Sequence, residues 1–162
     1  MGMNIANIQF AKVTRTTATL SIAVSGTPQV IPWEAAVVAG NPFANWVLAV
    51  NPSRVTFSVA GWYSLVANVD FAASATGDRE IYFQRSGVGI YGRQTIKSAT
   101  LANPMSTQAV LCVAVGDYVE VFANQTSGGA LNVVTTAANE TPSLTVTLVR
   151  PQFSNASEVA FP

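Results

Sequence analysis

Few residue types in this chain support chemistry at neutral pH, because histidine is absent and the only cysteine is Cys112. Without an imidazole, neither a Ser-His-Asp nor a Cys-His arrangement can form. Cys112 lies in the apolar run 109–115, which is typical of a small buried hydrophobe. No P-loop and no dinucleotide-binding glycine motif occurs. A zinc site is improbable, because one cysteine and carboxylates would have to supply all its ligands. We therefore expect a protein that is not an enzyme and that has no catalytic residues, metal or cofactor.

Two groups of charged residues remain as candidate binding sites. Asp78 and Glu80 lie two positions apart and could share a strand face or contribute to a calcium site, but Arg79 between them favours a solvated turn. The cluster of Arg79, Arg85 and Arg93 has the chemistry to bind phosphate or an acidic sugar. Three arginines offset by nearby acids are more often a solvated or interface patch, and binding is the second interpretation.

The composition narrows the class of protein. The chain has 162 residues, of which 49% are hydrophobic and only 10% charged, and its net charge is zero. This length predicts one domain, the hydrophobic content excludes disorder, and the missing positive charge disfavours nucleic-acid binding. Globular domains average about 25% charged residues. The low content of charged residues indicates a surface that partner subunits cover in an oligomer. Alternatively, Thr, Ser, Asn and Gln could keep the surface hydrated.

Strand patterning extends along most of the chain. Valine outnumbers leucine 22 to 8, a bias that suits strands because β-branched side chains lose freedom in helices. Apolar and polar residues alternate in several segments, and Gly, Pro and Asn turns separate them. The segments are 17–25, 55–59, 63–71, 81–83, 118–122 and 143–148. The pattern predicts an all-β sandwich or jelly roll of about ten antiparallel strands and no helix.

The ends differ from the middle, which suggests an N-terminal arm (1–16), a jelly-roll domain (17–150) and a C-terminal tail (151–162). The arm carries Ile5, Ile8 and Phe10, and the tail carries Phe153 and Phe161. These apolar residues either pack on their own domain or dock on a neighbour. The apolar runs are too short to span a membrane, and no targeting signal is recognisable. We expect no membrane partner and synthesis in a cytoplasm.

Three segments together resemble the TNF-like family, which includes the globular heads of complement component one-q. Residues 55–65 are similar to its apolar strand, Gly-x-Tyr turn and long strand, with Leu65 where the family has phenylalanine. Residues 111–122 contain Gly116-Asp117 in a pattern like the family's Gly-Asp turn, and residues 143–149 resemble its closing strand. The family's aromatic-glycine pair in the last strand is missing.

The resemblance implies a jelly roll that assembles as a tight homotrimer with aromatic residues at its threefold axis. Strand alternation places Trp62 and Val66 on the outward side of one strand, and Tyr118 and Phe122 on the outward side of another. Outward apolar side chains are typical of interface cores. We therefore predict that these four residues line the trimer contact, unless a loop of the same chain covers them.

A trimer of such head domains, with no recognisable signal peptide, collagen stalk or membrane anchor in this sequence, looks like a structural protein of a tailed bacteriophage. The hypothesis is a capsid decoration, or cementing, protein on the outer capsid surface of the virion, made in the host cytoplasm. Ile5, Ile8, Phe10, Phe153 and Phe161 would contact the major capsid protein or neighbouring decoration proteins. The alternative is a receptor- or carbohydrate-binding head of a phage tail or fibre, with Trp33 and Trp46 as candidate sugar contacts. A bacterial signalling or spore-coat trimer is a third interpretation.

Overall fold

The computed structural model describes residues 10–16, 19–23, 26–37, 43–135 and 141–152, and the regular structure in these ranges is entirely β. None of the described residues forms a helix that is long and apolar enough to cross a membrane. The strands are β1 (Phe10–Thr14), β2 (Leu20–Ile22), β3 (Gln29–Val30), β4 (Ala35–Ala36), β5 (Ala44–Asn45), β6 (Val55–Phe57), β7 (Gly61–Phe71), β8 (Ser74–Arg85), β9 (Val88–Ala99), β10 (Asn103–Val113), β11 (Tyr118–Gln125), β12 (Leu131–Val133) and β13 (Ser143–Pro151).

The strands form two antiparallel sheets that face each other across one core. Sheet I has the order β2-β12-β7-β13-β1-β4, and β10 pairs with the other side of β7. Sheet II has the order β5-β6-β11-β8-β9, and β3 also pairs with β11. The all-β antiparallel sandwich predicted from the sequence is thus confirmed.

The core follows the predicted alternation. In β7, Tyr63, Leu65 and Ala67 are fully buried, whereas the residues between them are more exposed. In β11, Val119 and Val121 are fully buried from the opposite sheet. Because successive side chains of a strand point to opposite faces, one buried residue fixes the direction of its neighbours.

The structure has thirteen strands in its described part, rather than about ten, and the extra ones are short. β3, β4 and β5 have two residues each, which is too short for alternation to be visible. Residues 10–14, predicted as part of an N-terminal arm, form β1 between β13 and β4. The reason is that Ala11 and Val13 point into the core beside Val146 and Leu144.

The connection from β9 to β10 passes from one sheet to the other and closes one side of the sandwich, because β9 ends sheet II and β10 ends sheet I. The two backbones approach closely at Gly92, where a Cβ would lie 2.6 Å from the carbonyl oxygen of Gln108. Gly92 has a φ of +56°, a backbone conformation that costs free energy for any residue with a side chain. The Thr107 hydroxyl donates a hydrogen bond to the Gly92 carbonyl across the same gap.

Candidate functional site

The outer face of sheet I carries exposed apolar side chains. The register places Val110, Ser64, Thr147 and Phe10 in one row across β10, β7, β13 and β1. Val110 is 60% exposed, Phe10 39% and Trp62, in the adjacent row, 46%. Large apolar groups that share one sheet face and are this accessible are typical of contact surfaces.

Few charges interrupt this surface. We call it the sheet I face and define it as the outward residues of the four cross-strand rows that contain Trp62, Ser64, Val66 and Asn68 of β7. Its charged residues are Lys12 and Arg150, both cationic and each at the end of a row. The remaining accessible residues are uncharged: Cys112, Val66, Gln108, Thr145 and Ser106. Ser143 and Thr14 occupy the last row but are buried. Cys112 is half-buried on the outward side, not in the core as its apolar run predicted. Depletion of charge is the compositional mark of an interface core.

The outer face of sheet II has the opposite character, because it carries ion pairs. Arg54 Nε lies 3.1 Å from a Glu120 carboxylate oxygen, and Lys97 Nζ lies 3.0 Å from Asp78. A longer pair joins Arg93 to Glu80 across β8 and β9 at 3.7 Å. The two outer faces therefore differ in polarity, and only the sheet I face lacks paired charges among the described residues.

The four residues predicted to line one trimer contact do not form one surface. Trp62 and Val66 lie on the sheet I face, whereas Tyr118 and Phe122 lie on the outer face of sheet II. Alternation along a strand predicts that a residue points outward, but not which of the two opposite faces it belongs to.

Side chains of the same chain partly cover Tyr118 and Phe122. The Arg54 guanidinium carbon lies 4.1 Å from the centre of the Tyr118 ring, a cation–π contact. Phe122 stacks on Tyr82 with ring centres 5.3 Å apart and planes only 4° from parallel. Both residues therefore have partners in the same chain, and neither ring needs a second subunit to cover it.

The residues predicted to contact a capsid are only partly described. Ile5, Ile8, Phe153 and Phe161 lie outside the described residues. Phe10 lies in β1, where its ring belongs to the sheet I face.

The two tryptophans considered for sugar stacking differ in burial, because Trp33 lies in the core and Trp46 is half-buried. Trp33 is fully buried. The indole Nε1–H of Trp46 donates a 2.8 Å hydrogen bond to the Pro52 carbonyl, so this side chain holds the loop between β5 and β6.

The arginine cluster is dispersed by the fold. Arg79 is fully buried and donates hydrogen bonds to the carbonyls of Ser74, Thr76 and Asp78. Burial lowers the pKa of its guanidinium, while the charge of Asp78 opposes that shift. Arg85 donates to the Cys112 carbonyl at 2.7 Å, and only Arg93 is well exposed. The three residues therefore offer no common phosphate or sugar site.

The carboxylates have structural partners. Asp78 and Glu80 share the outer face of sheet II, and each has a basic neighbour. Asp117 acts as the predicted turn residue: its side chain accepts hydrogen bonds from the Ala114 N–H and the Ser86 hydroxyl, both at 2.9 Å. The Ala114 bond, helped by Ser86 and Arg85, lowers the pKa of Asp117 against the opposing effect of burial. Within the described ranges, no cluster of three possible metal ligands occurs.

One feature of the surface has no equivalent among the sequence predictions. A cleft of about 190 Å³ lies at the edge of sheet II, between the β5–β6 hairpin and its loop. It is lined by Asn45, Val47, Val50, Asn51, Arg54 and Thr56. The Asn51-Pro52 turn is visible in the sequence, but the cleft depends on how the loop folds back over the strands.

Comparison with known proteins finds solved structures with a similar fold. No protein-family model matches the chain, and no curated protein matches it in sequence. The fold is similar to that of Eiger TNF from S. frugiperda, with a TM-score of 0.60 at 15% identity over 93% of this chain and 98% of that one. It is also similar to murine APRIL, with a TM-score of 0.59 at 16% identity over 86% and 98% of the two chains. The chain therefore has a TNF-like jelly-roll fold, as its sequence motifs predicted.

Proposed function

We propose that this protein is a homotrimeric structural subunit whose copies associate through the sheet I face. The observation that carries the proposal is that this face exposes Phe10, Trp62 and Val110 and carries only two charged residues, neither of them in an ion pair within the described part of the chain. In a threefold ring the contacts are heterologous, so one surface of each subunit meets a different surface of the next; the sheet I face is the one we assign. On this proposal Trp62, Val66 and Phe10 belong to the contact, and Tyr118 and Phe122 point away from it.

The proposed role of the trimer is capsid decoration in a tailed bacteriophage. A threefold subunit matches the threefold and quasi-threefold points of an icosahedral shell, and its ends would bind the major capsid protein or neighbouring decoration proteins. This step is an analogy at the level of the fold, and the fold alone does not determine function. Ile5, Ile8, Phe153 and Phe161 remain the predicted capsid contacts, whereas we assign Phe10 to the subunit contact.

The alternative role is a receptor- or carbohydrate-binding head. Burial of Trp33 removes one of the sugar contacts that the sequence suggested for it, and Trp46 uses its indole N–H within the chain. The cleft beside Arg54 is the observation that keeps this alternative open.

Co-sedimentation with capsids distinguishes the two roles. Expanded, undecorated capsids would be assembled from the major capsid protein encoded nearest to this chain's gene. Decoration predicts saturable binding of trimers to these shells and greater resistance of the shells to heat. Binding to host cells, with none to the shells, would reject decoration in favour of the receptor head.

A further inference from the structure

The cleft at the edge of sheet II has a polar floor and an apolar wall. Asn45 and Thr56, which form the floor, are cross-strand neighbours in one outward row of β5 and β6. The loop after β5 forms the wall, with Val47 43% and Val50 69% exposed. The cleft thus combines groups that hydrogen-bond with groups that pack on C–H surfaces.

Backbone hydrogen bonds fix the wall of the cleft. The N–H groups of Val50 and Asn51 both donate to the Val47 carbonyl, at 3.2 and 3.1 Å. The Pro52 carbonyl accepts from the Trp33 backbone N–H and from the Trp46 indole, each at 2.8 Å. The loop therefore holds its shape without a ligand, and preorganisation of this kind lowers the entropy cost of binding.

Arg54 is the charged group of the cleft, and its contacts hold it in one orientation. Its Nε donates to Glu120 at 3.1 Å, and its flat face lies 4.1 Å over the Tyr118 ring. Glu120 is held in turn by the Ser53 hydroxyl at 2.8 Å. In the described part of the chain these contacts engage the Nε and the face of the guanidinium, so the two Nη groups remain as donors for a ligand. A fork of two N–H donors matches the two oxygens of a carboxylate.

We propose that this cleft binds a carboxylated monosaccharide of the uronic acid type. Arg54 would bind the carboxylate, and the amides of Asn45 and Asn51 with the Thr56 hydroxyl would bind the ring hydroxyls, since these groups both donate and accept. Val47 and Val50 would pack on the C–H face of the ring. The volume of about 190 Å³ is below the roughly 300–1,000 Å³ of pockets for drug-sized ligands, which suits one sugar ring.

Titration of the ¹⁵N-labelled protein with D-glucuronate tests the proposal. Glucuronate should shift amide signals of residues 45–56 in a saturable manner, with a dissociation constant on the order of 1 mM. D-glucose should bind at least about tenfold more weakly, the effect of losing one charge-assisted hydrogen bond. Acetate should not reproduce the shifts, because it lacks the ring. Absence of saturation near 10 mM, or equal shifts with acetate, would overturn the proposal.

Two pairs of variants separate the cleft from general effects of charge. Arg54→Gln should weaken glucuronate binding about tenfold or more, whereas Arg93→Gln should leave it within about twofold, because that guanidinium also lies over a ring and beside a carboxylate but outside the cleft. Equal losses in both variants would refute a role for the cleft.

Asn51→Ala provides a second test, because Arg54→Gln also deprives the buried Glu120 of its partner. Asn51 is exposed, and its known hydrogen bonds to Val47 and Arg54 use the backbone. We expect about threefold weaker binding, with no change in Asn132→Ala, an exposed asparagine of sheet I. Unchanged affinity in Asn51→Ala and Arg54→Gln together would reject the site. Trp62→Glu should bind glucuronate normally whatever its oligomeric state, so this proposal and trimer assembly fail independently.

Discussion

Replacing Trp62 with glutamate is the most direct test of the sheet I face. Its indole points away from the core and is 46% exposed in the single chain. A substitution at such a position removes no core packing, so we expect the isolated chain to lose no more than about 1 kcal/mol of stability. The effect on assembly should be much larger, because a neighbouring subunit would cover what the chain leaves exposed.

The magnitude follows from the exposed area. A buried aromatic side chain covers about 150–250 Å², so the 46% exposed fraction leaves roughly 100 Å² for a second subunit to bury. At about 25 cal/mol per Å², this burial stabilises the assembly by about 2.5 kcal/mol per chain, or about 7.5 kcal/mol for three chains. Desolvation of the introduced carboxylates adds a further penalty.

Multi-angle light scattering after size exclusion measures the outcome. The unmodified chain of 17.0 kDa should elute as a trimer of about 51 kDa, and Trp62→Glu should elute as a monomer. Leu48→Glu is the matched control, because Leu48 is 53% exposed in the loop beside sheet II and should remain trimeric. A monomeric parent chain, or a trimeric Trp62→Glu variant, would refute the assignment of this face.

Three further predictions concern the stability of the fold, each read from urea unfolding. Asp117→Asn should cost about 1–2 kcal/mol at pH 7. The pKa of Asp117 in the folded protein lies below its usual 3.8, so its contribution to the free energy of unfolding is present above 3.8 and is lost as the pH falls through the folded pKa. The stabilities of the variant and the parent should therefore converge in strong acid, and a stability difference that does not change with pH would contradict the reasoning. Gly77→Ala should cost more than about 2 kcal/mol, since Gly77 has a φ of +74° and a Cβ there would overlap the Thr126 carbonyl; Gly26→Ala, with the same sign of φ and open space around it, should cost less. Gln125→Leu should cost about 1–3 kcal/mol, because the buried amide donates to the carbonyl of buried Ile22 and its loss takes this donor from a buried acceptor. A change below about 0.5 kcal/mol would show that water replaces the amide.

Local pattern in the sequence predicted much of the fold. The alternation in β7 correctly identified Tyr63, Leu65, Val69 and Phe71 as core residues. The Gly116-Asp117 turn was also predicted, because the signal for such a turn lies within a few residues. Short strands such as β4 and β5 were missed, since two residues carry no period and their pairing depends on distant partners.

The candidate sites depended more on tertiary structure. Trp62 and Phe122 were both correctly expected to point outward, but the sequence grouped them on one surface, and the fold separates them. The cleft was not predicted, because Arg54 acquires its orientation from Glu120, a residue 66 positions away in the chain. No local motif records such a contact.

The sequence by itself determined that this chain forms a β-sandwich with little surface charge and with apolar residues on the outward sides of its strands. Those properties follow from composition and from a period of two residues, which are local. Only the tertiary structure decided which sheet each strand joins, and thus which outward residues share a face. The physical reason is that the pleat fixes whether a side chain points in or out, whereas strand pairing between distant segments determines its neighbours.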